Sequence, residues 1–292
     1  MSGVLWATAS GIGFGVFQSL NRRAIRGIED PYVSTFLQLA VATAVLVAAS
    51  LVSEDLSQLA DATGEAIVLF ALAGVIHFVL GWLLLNVSQA RIGASRTAPL
   101  ITLTPLFGVL LGVVTLGELP KPAALGAIVP IMVGAWLLAS RGSGTVIERD
   151  SIFAFGTAFM WALSAVLTVK ALEGLDSPLL GVTLGLLAAT VALGAALIAH
   201  GSLGAIRSIA RNTLALKLSA AVLVAFATWF RLLALGETDV AVVLATNLVA
   251  VPITLVLAPM MVERHLEQAD ARVWLGGLLV GAGVLALIAL EG

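Results

Sequence analysis

Ten apolar runs, each about 20 residues long, fix what this chain can become. They fall near Val4–Ile25, Tyr32–Val52, Ala66–Val87, Ala94–Leu116, Pro122–Ser140, Ile152–Leu172, Leu179–His200, Leu214–Leu235, Val240–Val262 and Val273–Leu290. A helix of that length crosses a hydrocarbon core of about 30 Å at 1.5 Å per residue. Only a helix satisfies its own backbone polar groups in lipid, so the runs are expected to be helices. Charged residues make up 11% of the chain and the mean hydropathy is +1.09, a composition no water-facing surface tolerates. The spans leave roughly 80 residues for loops and tails, too few for a separate catalytic or nucleotide-binding domain. The first span is too long and too rich in Gly and Gln for a cleaved signal peptide.

The two halves resemble each other at an offset of about 147 residues. A-I-R-G-I-E-D-P from Ala24 to Pro31 matches A-L-E-G-L-D-S-P from Ala171 to Pro178, and farther on an offset near 145 pairs Glu118 with Glu263. Five spans per half is an odd number, so the second half must enter the membrane upside down. The expected architecture is an all-α integral membrane protein, ten transmembrane helices in a 5+5 inverted repeat around a central cavity, with units 1–147 and 148–292. Inverted repeats of this kind are a mark of secondary transporters. Twelve Lys and Arg fall on one side of the membrane: Arg22, Arg23, Arg26, Arg91, Arg96, Arg141, Arg149, Arg207, Arg211, Lys217, Arg264 and Arg272. Lys121, Lys170 and Arg231 fall on the other, the last inside a span. The positive-inside rule then predicts both termini outside the cytoplasm, in an inner (plasma) membrane.

The loop and span motifs resemble those of the drug/metabolite transporter superfamily, in particular its ten-span EamA-type exporters. The resemblance rests on V-L-W-A-T at Val4–Thr8, Q-A-R-I-G-A-S at Gln89–Ser95, and P-L-F-G-V-L-L-G-V-V-T-L-G-E at Pro105–Glu118. It implies the 5+5 fold and export of amino acids or other metabolites, with the aromatic amino-acid exporter type as the nearest relative. It also implies cytoplasmic termini, opposite to the charge count.

Polar groups at bilayer depth are the candidates for a substrate site, since burying them unpaired costs free energy. His77, halfway along span three, is the ionisable residue nearest a mid-span position; it could contact substrate or bond a neighbouring helix. Trp82 lies five residues on, about 500° around the helix, so it faces roughly 140° away from His77. Trp161 and Ser164 share one face of span six with Thr168, a stripe suited to an amphipathic ligand. Trp229 in span eight, Asn247 in span nine, and Gln18 in span one complete the predicted binding set. Pro99 and Pro105 in span four and Pro252 in span nine remove backbone donors and predict bends in paired elements of the two repeats. Glu118 and Glu263 are expected at the ends of those spans, either closing them or simply exposed.

Absences narrow the function further. The sequence has no cysteine, no G-x-x-x-x-G-K-[ST] and no H-E-x-x-H, which argues against thiol chemistry, a P-loop ATPase and an intramembrane zinc protease. Asp and Glu are missing from every span interior, which argues against proton coupling through a carboxylate. The reading is a secondary transporter and not an enzyme, working as a facilitator without cofactor or metal. It moves small amphipathic metabolites, aromatic or hydrophobic amino acids by preference, with nucleosides or drugs as other solutes. The lipid bilayer is its setting, nucleic acid is no partner, and it acts as a monomer or homodimer. An intramembrane lipid-modifying enzyme and a membrane scaffold are the competing classes.

Overall fold

The computed structural model describes residues 3–25, 27–28, 30–92, 97, 100–139, 149–261 and 271–291. Spans one and two are the helices Gly3–Ile25 and Pro31–Ser53. Span three runs as Gly64–Gly74, a π-helical stretch Val75–Gly81, and Trp82–Ile92. Span four is described from Thr104 to Leu116, and span five is Pro122–Ala139. Spans six, seven and eight are Ile152–Leu172, Pro178–Ala199 and Arg211–Glu237. Span nine is Val240–Thr246, a 3₁₀ turn Asn247–Val249, and Ala250–Met261; span ten is Ala271–Glu291. The expected boundary between residues 147 and 148 lies outside the described residues, as do Pro99 and Glu263.

The sequence repeat around Pro31 and Pro178 is a pair of helix starts. Asp30 accepts from the backbone N–H of Tyr32 and Val33, and Ser177 accepts from that of Leu180. Each satisfies a donor that the first turn leaves open, with proline following where its missing N–H costs nothing.

Contacts between span ends show the inversion. Gly3, which opens span one, packs on Glu237 and Thr238 at the close of span eight, while Gly27 packs on Thr213 near the start of span eight. Spans one and eight are therefore antiparallel. Thr63 N–H donates to Gly174 O, and Arg91 pairs with Asp150 at 3.0 Å, so spans three and six are antiparallel too. Spans three and eight, equivalent in the two repeats, consequently point in opposite directions. Thr43 and Thr190 share a hydrogen bond of 2.8 Å at a separation of 147 residues. Equivalent residues meet in this way only on the axis relating the repeats. The side bearing Gly3, Glu237 and Gly174 is called the near face below, and the side bearing Gly27, Thr213 and Arg91 the far face.

Lipid offers helices no hydrophobic gain for pairing, so close approach of small residues holds such bundles together. A Cβ built on Gly74 in span three would overlap the carbonyl of Gly185 in span seven. Gly134 likewise lies against Gly276 and Leu279 of span ten, and Gly15 against Ile253 of span nine. Large apolar side chains point outward instead: Val191, Ile198, Leu278 and Leu285 are each exposed, as a lipid-facing surface requires.

Gly74→Ala should therefore push spans three and seven apart. The expected cost is about 1–3 kcal/mol, typical of overpacking a tight interface, read as a lower melting temperature in detergent. An unchanged melting temperature would show that the two backbones do not rely on this contact.

Candidate functional site: a buried guanidinium at a polar centre

Spans three, six, seven and eight meet around a void of about 20 Å³, slightly more than one water molecule occupies. Its polar lining is His77, Ser164, Thr168, Thr228 and Arg231; glycines 181 and 185 form the span-seven wall. The lining residues lie toward the ends of spans six and eight, so the void belongs to the near half of the membrane.

Local backbone explains why these groups converge. His77 lies inside the π-helical turn Val75–Gly81, and such turns re-aim a side chain relative to the helix on either side. Gly81, closing that turn, lets Trp161 Nε1 approach its Cα. Ser164 and Thr168 are successive turns of span six, and each hydroxyl is tied to a carbonyl of its own helix, Trp161 O and Ser164 O.

Arg231 is buried and lies 3.3 Å from both ring nitrogens of His77 and 3.3 Å from Ser164 Oγ. One proton arrangement satisfies the cluster. Ser164 donates to Trp161 O, His77 Nδ1–H donates to Ser164 Oγ over 3.0 Å, and His77 Nε2 accepts from the guanidinium. His77 is then neutral, held flat by stacking on Trp161 at 5.7 Å between ring centres. Arg231 Nε has no partner, and among the described residues no carboxylate lies within ion-pair distance of Arg231. A guanidinium with five donors and only neutral contacts keeps unused hydrogen-bonding capacity of the kind that suits an anion.

The remaining predicted positions are distributed elsewhere. Trp82 packs edge-on against Phe17 and faces away from the void. Trp229 stacks with Phe230 and packs at a tilt against Phe226 without lining the void, its Nε1 buried and unpartnered. Asn247 sits in the 3₁₀ break of span nine against Gly11, with Oδ1 unpartnered, and Gln18 lies on the exposed face of span one. These four are not brought to the His77 cluster. Pro105 stands in the first turn of the helix Thr104–Leu111 of span four, and Pro252 in the first turn of Ala250–Met261 of span nine. The N–H missing at Pro105 would have reached Ile101 O, which accepts from Thr104 Oγ1 at 2.7 Å instead.

Two cations escaped the sequence reading. Arg231, a charge inside span eight that is not among the predicted binding residues, completes the His77 cluster. Lys217, counted among the loop charges, is two turns inside span eight and 1% exposed. Span eight begins at Arg211, one turn earlier than its apolar run, because the polar start of the helix carries no hydropathy signal. One of the twelve charges counted on that side is thus a buried ammonium.

Glu118 follows a left-handed Gly117 that ends span four, and its Oε2 accepts from Val240 N–H at the start of span nine over 3.1 Å. Partial burial raises its carboxyl above the usual value of 4.5; Asp239 adds to the rise, and the Val240 hydrogen bond opposes it.

The fold and site define a class: a multi-pass, all-helical membrane protein built as an inverted repeat. Residues 1–140 match the EamA-like transporter family. Over 121 residues the chain is 32% identical to phosphoenolpyruvate/phosphate translocator 1, chloroplastic, of Arabidopsis thaliana. Over the same length it is 31% identical to the triose phosphate/phosphate translocator, non-green plastid, chloroplastic, of Brassica oleracea var. botrytis. Each match covers 41% of this chain and 29% of the relative, so the chain spans under a third of the curated relatives' length. A solved crystal structure of a protein shares the fold with a TM-score of 0.71, at 19% identity over 98% of this chain and 97% of that one.

A raised carboxyl pKa means that folding favours protonated Glu118. Its contribution is fully present below about pH 4.5 and is lost as pH rises through the raised value. Glu118→Gln retains an oxygen for Val240 N–H and should flatten that part of the melting-temperature profile in detergent. A variant with the same pH dependence as the wild type would show that Glu118 does not carry it.

Proposed function

We propose that the protein is a secondary transporter that exchanges small anionic metabolites, phosphate and phosphorylated or carboxylated three-carbon compounds, by alternating access. The observation that carries this reading is Arg231: a buried guanidinium with neutral contacts and no carboxylate partner among the described residues. Leaving a cation so placed is costly unless an anion completes it. The Ser164, Thr168 and Thr228 hydroxyls around the void donate to carbonyls of their own helices, and turning those protons inward would offer them to the oxygens of a phosphate or carboxylate. The two relatives are named as translocators of phosphoenolpyruvate/phosphate and of triose phosphate/phosphate, which supports the same class.

The void holds one water-sized body, so a metabolite enters only when the spans move apart. The breaks in spans four and nine, at Leu103–Pro105 and Asn247–Pro252, are the bends about which we place that movement. Aromatic amino acids are the less favoured substrates. The indoles of Trp161 and Trp229 are engaged with His77 and with Phe230, and neither residue lines the void. The loop charges favour a plasma-membrane orientation with the far face in the cytoplasm and both termini outside.

Counterflow in proteoliposomes tests the reading. Labelled inorganic phosphate is expected to exchange against internal phosphate or phosphoenolpyruvate, and to do so after an ionophore collapses the pH gradient. Arg231→Gln should weaken exchange roughly ten- to a hundredfold, the worth of a charge-assisted contact of 1.5–3 kcal/mol. Exchange of aromatic amino acids without phosphate exchange would overturn the anion assignment.

A further inference from the structure

The repeat symmetry locates a second cationic group on the path. Four residues lining the void are Phe70, Thr168, Gly181 and Gly185. At the 147-residue offset their equivalents in the other repeat are Lys217, Asn21, Ser34 and Gln38. All four equivalents are polar and buried, at 1%, 6%, 2% and 3% exposure. Inversion carries them to the far half of the membrane, where Lys217 is two turns from the start of span eight. Fourteen residues separate Lys217 from Arg231, about 21 Å along one helix.

Lys217 Nζ donates to Asn21 Oδ1 at 2.5 Å and to Gln38 Oε1 at 3.0 Å. Both acceptors are neutral, an ammonium has three donors, and no carboxylate among the described residues pairs with it. The Ser34 hydroxyl is buried with no partner. Where the near half has a void, the far half has a lysine tethered across spans one, two and eight by two amides. Any separation of span eight from spans one and two at this depth must break those tethers.

We propose that Lys217 is a second anion-binding residue, the far-face counterpart of Arg231. Asn21 and Gln38 hold it while the far end is closed; when that end opens, the ammonium exchanges an amide oxygen for an oxygen of the transported anion. The substrate then passes from one buried cation to the other instead of leaving a single site. The proposal rests on the anion-transport reading above.

The chain has no cysteine, so Lys217→Cys carries a single thiol in an otherwise native protein. Inorganic phosphate is the probe, with exchange measured from each face of oriented proteoliposomes. Lys217→Met is expected to raise the KM for phosphate at the far face at least tenfold while changing the near-face KM less than twofold. Lys217→Cys should behave alike, recover exchange after treatment with aminoethyl methanethiosulfonate, which restores an ammonium, and react several-fold more slowly when phosphate is present. A purely structural lysine would give neither the one-sided KM change nor phosphate protection. Wild-type exchange that is lost in Arg231→Gln yet keeps its far-face KM in Lys217→Met overturns this proposal alone. A wild type that moves no anion overturns the anion reading and this proposal with it.

Discussion

A guanidinium inside hydrocarbon must find its counter-charge in the protein or receive it from outside. Arg231 has found only an imidazole, a serine hydroxyl and a void. The surrounding structure is arranged around that deficit. The π-helical turn of span three aims His77 at it, and Ser164 is fixed by the Trp161 carbonyl so that its oxygen can accept. Glycines in span seven leave room for the void where larger side chains would fill it. A neutral partner shell keeps the cation in place without quenching it, which is what a site for a transient anion requires.

The inverted repeat gives the two ends of the path the same backbone and different chemistry. Spans two and seven meet on the symmetry axis through Thr43 and Thr190, so each end is built from the same helices in exchanged roles. On the near side, Phe70 and two glycines leave a void. On the far side, Lys217, Gln38 and Asn21 fill the equivalent volume with a hydrogen-bonded lock. A carrier whose two ends close by different means has unequal costs for opening each, and those costs set which way it rests.

The fold was legible in the sequence because its causes are local. Twenty-residue apolar runs and Pro after a capping Asp30 or Ser177 act within their own segments, and an odd number of spans per repeat then sets the inversion by parity alone. The breaks in spans four and nine fall just before Pro105 and Pro252, each lacking the N–H that would bridge the break, whereas Pro130 stands inside an unbroken span five. The site was only half legible. His77, Trp161 and Ser164 stood out as polar or aromatic groups at mid-span, and these three lie in contact. Arg231 and Lys217 did not, because a cation near a span end reads as an interfacial charge until the packing of other helices is known. Gln18 and Trp82 show the reverse: a polar or aromatic residue at the right depth can still face outward or into a neighbouring helix.

The most direct measurement is an experimental map of the protein with tungstate, an electron-dense phosphate-like anion. Density is expected beside the Arg231 guanidinium, within hydrogen-bonding distance of it and of Ser164 or Thr228, in a void widened beyond its present size. Tungstate found only on loop arginines, with the space beside Arg231 still holding nothing larger than water, would contradict an anion site at the centre of the molecule.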